Sequence, residues 1–499
     1  MIRTSLVGIK GDPGPAGPAG AAGAAGAAGQ QGKSAYQIAV EQGFSGTELQ
    51  WMKQLQGGVS HHNRLINTYP VLRARPYRAD DVRGFTAKSE VGGTIALDTG
   101  MTDPFTGGGM AKITIPAGNT SYQTIDYFDL TSWQMESNDV WMFLIYVPVR
   151  VADISMQILV SDESSVAGTN YRIATWTCND RMSRGYNLLT MLHSETQIGG
   201  TTYGTVGTTI APIFTDSGNQ TAANQSKSIR MRVKVVNAQA TDTVVYFGSV
   251  LTAEENWAKG AVMWMADDVP NSWNDLAVPV IESYGWKTTL AAVSVYSADP
   301  AGNYIYRTKL EQLRGKGHEI WNHTRFHENM VTATNPEKDR AIKMSQDYWS
   351  SYGLSEPTKY ITWPFGQNDD YAINLVKSYG FKMGLATVGD AINPLIAGTN
   401  PFYMNRFSIE KSNPWQVDAM VNGCILRGQA MVTYGHNAVA GGASSPNAYP
   451  GAISFYVDHL KRWCDIVAAH EDAGRCVVTT VSEYFKLCGI NPDTHKFLE

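Results

Sequence analysis

The sequence predicts a multidomain fold: an N-terminal collagen-like triple helix with short helices, a central antiparallel β-sandwich of jelly-roll type, and a C-terminal α/β barrel. Three observations predict this order. Glycine occupies every third position near the N-terminus, apolar residues then alternate with a period of two, and strands finally alternate with helices. The predicted boundaries are 1–33 for the collagen-like segment, 34–58 for a helical module, 59–112 for a connector, 113–254 for the sandwich and 255–499 for the barrel.

The composition favours folded domains and argues against several classes of protein. Of the 499 residues, 43% are hydrophobic and 17% are charged, which is enough apolar material for buried cores. A net charge of −5 without a basic run argues against nucleic acid as a partner. The sequence contains no apolar stretch of about 20 residues, so we expect no membrane span, and we expect no secretory signal. Five cysteines without a CxxC pair argue against a disulfide framework.

The N-terminal repeat predicts a homotrimer. Glycine recurs at every third position from Gly8 to Gly32. Only glycine fits at the axis where three polyproline II chains meet, so this period is typical of a collagen triple helix. A flexible linker rich in alanine and glycine is the alternative. A short repeat with more alanine than proline needs neighbouring segments to hold three chains together.

Residues 34–58 fit two short helices that could supply this support. Ser34 with Gln37, and Thr47 with Gln50, match the capping-box pattern that begins a helix. The apolar side chains of the segment exceed what a lone helical hairpin can bury, so packing around a threefold axis is predicted. With the repeat, the segment resembles a module that follows collagen-like repeats in bacteriophage tail fibres and tailspikes. That resemblance implies a place in the virion and contact with other phage tail proteins through the N-terminus.

The middle and the C-terminal part of the chain differ in the pattern of their predicted secondary structure. Short alternating segments separated by Gly, Asn, Asp and Ser turns predict the antiparallel sandwich, whose aromatic side chains serve a core or bind sugar. Alternating strands and helices after Glu254 predict a parallel sheet closed into a barrel, with functional residues at the C-terminal ends of its strands. Four such ends carry chemically active residues, in VMWMADD, HEIWNHTRFH, KYITWPFG and AMVTYGH.

The predicted metal ligands are Asp268, His323 and His327. The two histidines are four residues apart, so on a helical turn both rings would point the same way. One carboxylate completes a two-His, one-carboxylate set with open positions, and zinc in such a site lowers the pKa of its water to about 7 and polarises a carbonyl. The ligand types favour one Zn²⁺ per chain without excluding other divalent ions. Asp267 is then free to act as general base, and His436 can protonate the leaving group.

Four further residues are predicted around the substrate and its oxyanion. A backbone N–H near Phe365 would serve as the oxyanion donor, and Pro364 adjoins it. We expect Trp363 to line the sugar cleft, with a buried packing role as the alternative. Arg406 is the fourth residue of this set.

These motifs resemble those of polysaccharide deacetylases of the NodB type, carbohydrate esterase family 4. AVMWMADDVP, GHEIWNHTRFH, ITWPFG and AMVTYGH are similar to four family motifs, across about residues 259–487. The resemblance implies a distorted (β/α) barrel, one divalent metal, usually zinc, and removal of acetyl groups from a sugar, most often from nitrogen. It implies the same roles for the residues: Asp267 as base, Asp268, His323 and His327 as ligands, and His436 as acid.

Two positions depart from the family pattern. Val269 stands where a glycine follows the acidic pair, and Thr362 stands where the family has an arginine that tunes the catalytic base. Arg406, in MNRFSIE, is a candidate replacement that would arrive from another strand. An ordinary surface or paired arginine is the alternative.

The sequence therefore predicts a trimeric phage tailspike that deacetylates a bacterial surface polysaccharide, such as capsule, O-antigen or exopolysaccharide, at the outer surface of the host. Three catalytic heads would convert weak single-site affinity into avidity on a repeating polymer. Three alternatives remain open. One is a non-catalytic tail fibre that binds surface glycan, with Thr362 and Val269 as signs of lost activity. The others are a bacterial collagen-like surface esterase and a peptidoglycan deacetylase.

Overall fold

In the computed structural model, two antiparallel sheets precede a parallel sheet with flanking helices. The structure describes residues 74–77, 85–89, 94–103, 108–118, 122–128, 139–148, 154–161, 171–177, 185–192, 213–217, 228–235, 241–254, 259–387, 401–402, 404–410, 421–426, 428–441, 450–451 and 453–487. The predicted collagen-like segment and helical module lie outside these residues. The triple helix and the trimer therefore stay predictions.

Strands β1–β12 form the two antiparallel sheets. They are β1 (Ala74–Tyr77), β2 (Phe85–Ser89), β3 (Thr94–Thr102), β4 (Gly109–Ile115), β5 (Tyr122–Phe128), β6 (Asp139–Val147), β7 (Ile154–Ser161), β8 (Tyr171–Thr177), β9 (Gly185–Leu192), β10 (Ile213–Ser217), β11 (Ser228–Val235) and β12 (Thr243–Glu254). One sheet has the order β3-β4-β12-β6-β9, with β1 on β12, and the other has the order β10-β8-β7-β11-β5-β2. The antiparallel pairing agrees with the prediction, and jelly-roll packing of the two sheets stays a prediction.

The sheets begin earlier than predicted. Strands β1, β2 and β3 lie within 59–112, the predicted connector, and pair with β12, β5 and β4. Most side chains of β3 are exposed or only partly buried. Strand β3 therefore has no buried face that would impose an apolar period of two. Strands β1 and β2 pair with partners distant in the sequence, and such pairing leaves no local signal.

The C-terminal part alternates strands and helices, as predicted. Its strands are β13 (Gly260–Asp267), β14 (Thr288–Ala292), β15 (Glu319–Asn322), β16 (Tyr360–Thr362), β17 (Met383–Ala386), β18 (Met404–Asn405), β19 (Phe407–Ser408), β20 (Ala430–Tyr434), β21 (Asn437–Val439), β22 (Ser454–Tyr456) and β23 (Cys476–Val478). Its helices are α1 (Val278–Ser283), which continues a π-helical turn at Trp273–Ala277, α2 (Arg307–Gly315), α3 (Asn335–Ser351), α4 (Asp370–Ser378), α5 (Val457–Asp472) and α6 (Val481–Leu487). Among these helices none has the length and apolar character needed to cross a membrane.

The parallel sheet curls until its two edges approach each other. Its order is β18-β17-β16-β15-β14-β13-β20-β19, with β23 on β13. The edge strands β18 and β19 are separated in the chain by Arg406 alone. Every residue of β13 is buried, because helices cover one face of the sheet and interior side chains cover the other. The interior face carries Met263 and Met265 against Trp321, and the outer face packs Trp264 with Trp273.

One helix of this part was not predicted. Helix α3 lies in a stretch to which the sequence analysis assigned no element, although Thr334 and Glu337 form a capping box at its start. A capping-box search between the second and third motifs would have found α3.

Candidate active site and metal centre

The predicted site residues follow strands that lie close together in the curled sheet. Asp267 ends β13, His323 follows β15, Pro364 follows β16, and His436 follows β20. Strands β16, β15, β14, β13 and β20 are successive neighbours in the sheet and run parallel. Their C-terminal ends therefore meet at one edge, where side chains from distant parts of the sequence come together.

Asp268, His323 and His327 form a cluster that could hold a metal ion. One ligand atom from each lies within 4.8 Å of the others. The Asp268 Oδ1 atom is 3.6 Å from His323 Nε2 and 3.4 Å from His327 Nε2. This is the predicted ligand set, and one carboxylate with two imidazoles suits zinc and related divalent ions.

The buried atoms of the cluster fit a bound cation. The Nδ1 atom of His323 lies 2.8 Å from the Thr362 carbonyl oxygen, which can only accept, so Nδ1 carries the proton and Nε2 presents its lone pair. Both His323 Nε2 and Asp268 Oδ1 are buried without a hydrogen-bond partner. Burial lowers the pKa of His323 to about 4, although Asp267 and Asp268 oppose the shift, so the ring stays neutral. Two unpartnered acceptors facing each other are expected where a cation binds.

The helical turn predicted for HTRFH is wrong. Thr324 and His327 have φ values of 64° and 63°, in the left-handed region, so the segment is an irregular loop. The Thr324 hydroxyl accepts a hydrogen bond from the His327 N–H at 3.1 Å and donates to Glu328 at 2.9 Å. The Thr324 N–H donates to the Asn322 side chain at 2.8 Å. Local hydrogen bonds of short polar side chains therefore bring the two imidazoles together without a helix.

Left-handed backbone among non-glycine residues is confined, in the described ranges, to the motifs that build this site. These residues are Asp268, Val269, Thr324, His327 and Phe365. Each such conformation costs about 1–3 kcal/mol, and the surrounding structure must hold it. Val269 has a φ of 51°, and in the motif that this segment resembles the corresponding residue is glycine. The position thus requires a backbone that glycine adopts freely, and here a buried β-branched residue adopts it.

Arg406 pairs with Asp267 in a buried contact. The Arg406 Nη1 atom is 2.5 Å from Asp267 Oδ1, and the guanidinium lies over the ring of Tyr434 at 4.7 Å. Only 2% of Arg406 and 4% of Asp267 are exposed. Burial alone would raise the pKa of Asp267, but the charges of Arg406, His323 and His436 lower it below its usual range. Arg406 therefore supplies, from the junction of β18 and β19, a guanidinium partner that position 362 lacks.

His436 is held by Glu410, a residue that the sequence analysis did not single out. The His436 Nδ1 atom is 3.0 Å from both carboxylate oxygens of Glu410, and its backbone N–H also donates to Glu410. Burial alone would lower the pKa of His436, but the contact with Glu410 and the charge of Asp267 raise it to about 9. The ring is therefore protonated at neutral pH. Glu410 ends the quoted segment MNRFSIE, four residues after Arg406, so its carboxylate was a visible signal.

This ion pair predicts a pH dependence of stability. The pKa of His436 is raised in the fold, so the stabilisation is fully present below about pH 6.5 and is lost as the pH rises through about 9. We expect the melting temperature of the wild type to fall more steeply from pH 6.5 to pH 10 than that of Glu410→Gln. Thermal melts across this range provide the measurement. Parallel curves for the two proteins would contradict the assignment.

Trp363 does not line a cleft, and the buried packing role that was the alternative is the one found in the structure. Its side chain is fully buried with Ile361 and Phe402, and its Nε1 donates to the Phe402 carbonyl at 3.3 Å. Gly384 leaves room for the indole, since a Cβ there would lie 2.8 Å from Nε1. Pro364 is also buried, so the predicted substrate set reduces to Phe365 at the surface. The indole packs inward because neighbouring apolar side chains surround it.

We expect Trp363→Ala to act on stability. Truncating a buried aromatic side chain should lower the free energy of unfolding by about 3–5 kcal/mol. Urea denaturation measures this loss. At temperatures where the variant is folded, its Michaelis constant for any substrate should equal that of the wild type. A raised Michaelis constant without loss of stability would restore the cleft assignment.

Phe365 is the exposed aromatic residue of the site. Its side chain is 58% exposed, and its ring meets the His327 ring edge-on with centroids 4.6 Å apart. Its backbone N–H makes no hydrogen bond to a described residue. The predicted oxyanion donor is thus available beside a candidate metal ligand.

A comparison with protein families agrees with this architecture. Residues 255–384 match the family described as polysaccharide deacetylase. The matched range contains Asp267, Asp268, His323, His327 and Phe365, whereas Arg406, Glu410 and His436 follow it. No curated protein matches the chain.

Solved structures of deacetylases and esterases are similar to part of the chain. The Streptococcus pyogenes deacetylase PplD in complex with acetate is 20% identical, with a TM-score of 0.26, over 29% of this chain and 61% of that chain. A family 4 carbohydrate esterase from Streptomyces lividans in complex with acetate is 15% identical, with a TM-score of 0.31, over 48% of this chain and 97% of that chain. A family 4 pseudoenzyme from Bacillus anthracis is 11% identical, with a TM-score of 0.32, over 45% of this chain and 65% of that chain.

Proposed function

We propose that the C-terminal domain removes acetyl groups from a polysaccharide by metal-dependent hydrolysis. The observation that carries this proposal is one cluster at adjacent strand ends: three potential metal ligands, a carboxylate held by arginine, and a histidine held by glutamate. The family match of residues 255–384 supports the substrate class.

Asp268, His323 and His327 would hold the divalent ion, which fits the unpartnered buried atoms of Asp268 and His323. When bound, such an ion lowers the pKa of a water and polarises the acetyl carbonyl. Asp267 would take the proton of the attacking water. Its Oδ1 atom is engaged by Arg406, which leaves Oδ2 as the accepting atom. The lowered pKa of Asp267 keeps the carboxylate ionised and ready for this transfer.

His436 and Phe365 would act on the other side of the scissile bond. The Nδ1 atom of His436 is bound to Glu410, so Nε2 carries the transferable proton. Protonated at neutral pH, His436 would donate it to the departing sugar nitrogen or oxygen. The Phe365 N–H would donate a hydrogen bond to the oxyanion. This division of labour needs two titrating groups whose pKa values differ widely, and the site contains them.

We further propose that the whole chain is a homotrimeric phage tailspike that acts on capsule, O-antigen or exopolysaccharide at the outer surface of the host. The glycine repeat and the following module support this proposal. A non-catalytic fibre that binds glycan is the main alternative, and peptidoglycan is an alternative substrate. The buried pair of Arg406 and Asp267 favours the enzyme, because it provides the guanidinium contact that Thr362 cannot make.

Acetate release tests the function. The purified protein is incubated with capsules, O-antigen and peptidoglycan from candidate hosts, after chelation and after zinc is restored. We expect acetate from at least one polymer, only with metal present. Glycan binding without acetate release in the zinc-restored sample would favour the non-catalytic fibre. Analytical ultracentrifugation of the same preparation tests the trimer.

A further inference from the structure

We propose that the stacked side chains of Tyr296 and Tyr304 form a platform that binds a pyranose ring adjoining the acetylated sugar. This inference rests on the proposed function and extends it to a second sugar position. The two rings have centroids 4.3 Å apart and planes 19° apart, and both side chains are partly exposed. The stack stands beside the candidate metal centre and takes no part in the mechanism above.

Backbone pairing attaches Tyr304 to the turn that carries Asp268. Tyr304 forms a β-bridge with Pro270, two residues after that ligand. The Ile305 N–H donates to the Val269 carbonyl at 2.8 Å. The position of the Tyr304 ring relative to Asp268 is therefore set by main-chain hydrogen bonds.

Tyr296 is attached in the same way to the loop of the histidine ligands. It begins the single-turn 3₁₀ helix Tyr296–Ala298, after β14. Just before it, the Ser294 N–H donates to the Thr324 carbonyl and the Val295 N–H donates to the Arg325 carbonyl, both at 3.1 Å. The stack thus joins the two loops that supply all three candidate ligands, and its distance from the reacting centre should stay constant.

The chemistry of the pair suits a sugar. Aromatic faces pack against the C–H face of a pyranose, and phenol hydroxyls exchange hydrogen bonds with its hydroxyl groups. Neither tyrosine hydroxyl has a hydrogen-bond partner among the described residues. Phe365 flanks His327 and the stack neighbours Asp268, so aromatic groups border two of the candidate ligands.

A second stacked pair in the same domain shows what a purely structural pair looks like. Tyr284 and Trp286 stack with centroids 4.9 Å apart and planes 18° apart. The Tyr284 hydroxyl is bound to Asp465 at 2.6 Å, and the Trp286 Nε1 is bound to Glu471 at 2.9 Å. Its polar atoms are satisfied within the protein, whereas the hydroxyls of Tyr296 and Tyr304 are free for a ligand.

The test compares a substrate that contains sugar with one that does not. Hydrolysis of N-acetylchitopentaose and of p-nitrophenyl acetate is measured for the wild type, Tyr296→Ala, Tyr304→Ala and the matched control Tyr284→Phe. Each tyrosine-to-alanine variant should raise the Michaelis constant for the pentasaccharide about tenfold, with p-nitrophenyl acetate turnover unchanged. Zinc content and melting temperature confirm that the variants are folded. Equal effects on both substrates, or none on the pentasaccharide, would overturn the platform.

Binding separates this inference from the proposed function. Calorimetry with N-acetylchitopentaose is performed on zinc-loaded wild type, Tyr304→Ala and Tyr304→Phe. Affinity should fall about tenfold in the alanine variant and less in the phenylalanine variant, which keeps the ring. If the wild type hydrolyses neither substrate yet this order of affinities holds, the proposed hydrolysis is wrong and the platform stands. If the wild type hydrolyses acetyl groups but the variants bind the pentasaccharide equally, the platform is wrong.

Discussion

Replacing Asp268 with alanine is expected to abolish both metal binding and acetate release. Asp268 is the single carboxylate of the candidate ligand set, and its Oδ1 atom lies near the Nε2 atoms of both His323 and His327. Two neutral imidazoles alone leave a dication without a compensating negative charge. The proposed reaction depends on a metal-bound water with a lowered pKa. We therefore expect the rate of acetate release to fall by at least about 1,000-fold.

Atomic absorption and acetate assays on the same samples measure this effect. The wild type should retain one metal ion per chain after dialysis, while Asp268→Ala should retain none. Asp347→Ala, at an exposed ion pair with Lys343 on helix α3, is the matched control and should leave both quantities unchanged. The oligomeric state should be the same in all three proteins. Comparable acetate yields from Asp268→Ala and wild type would refute the ligand assignment.

The strand ends of the parallel sheet could be predicted from the sequence because the pattern is local. A buried apolar run followed by polar residues indicates a strand and its C-terminal end, as in VMWMADD and AMVTYGH. Parallel strands then place such ends at one edge. Asp267, Asp268, His323 and His436 could therefore be predicted to share one site without knowledge of any contact.

Contacts between distant segments were the part that sequence reasoning could not supply. Arg406 meets Asp267 across 139 positions of the chain, and no periodicity encodes that pairing. Arg406 was therefore a candidate only through the family resemblance, with an ordinary surface or paired arginine as the alternative. The rotation of Trp363 into the core depends on the space left by Gly384. The path of HTRFH depends on hydrogen bonds of Thr324, whose side chain competes with helical backbone bonds. A spacing of four residues therefore predicted a helix where the structure has a loop.

Replacing Asp267 with asparagine is expected to remove the general base while the metal centre stays intact. Asparagine has nearly the same shape, and its carbonyl oxygen can still accept a hydrogen bond from Arg406, but it cannot take a proton from water. We expect turnover to fall by about 100- to 10,000-fold, with metal content unchanged. This combination distinguishes a base from a ligand, since Asp268→Ala should lose both. Metal loss in Asp267→Asn would show that Asp267 belongs to the ligand set.

The pH dependence of Arg406→Met then separates the base from the group that tunes it. Without the guanidinium, the pKa of Asp267 should rise, because burial acts against the charged carboxylate and Arg406 is the largest opposing influence. Activity of Arg406→Met should therefore be low at acidic pH and recover as the pH rises. The recovery should end where His436 loses its proton, near pH 9. Asp267→Asn should stay inactive across the same range, because it has no carboxylate to ionise. If the activities of Arg406→Met and the wild type fall over the same acidic pH range, Arg406 only stabilises the fold. Another group then sets the pKa of the base.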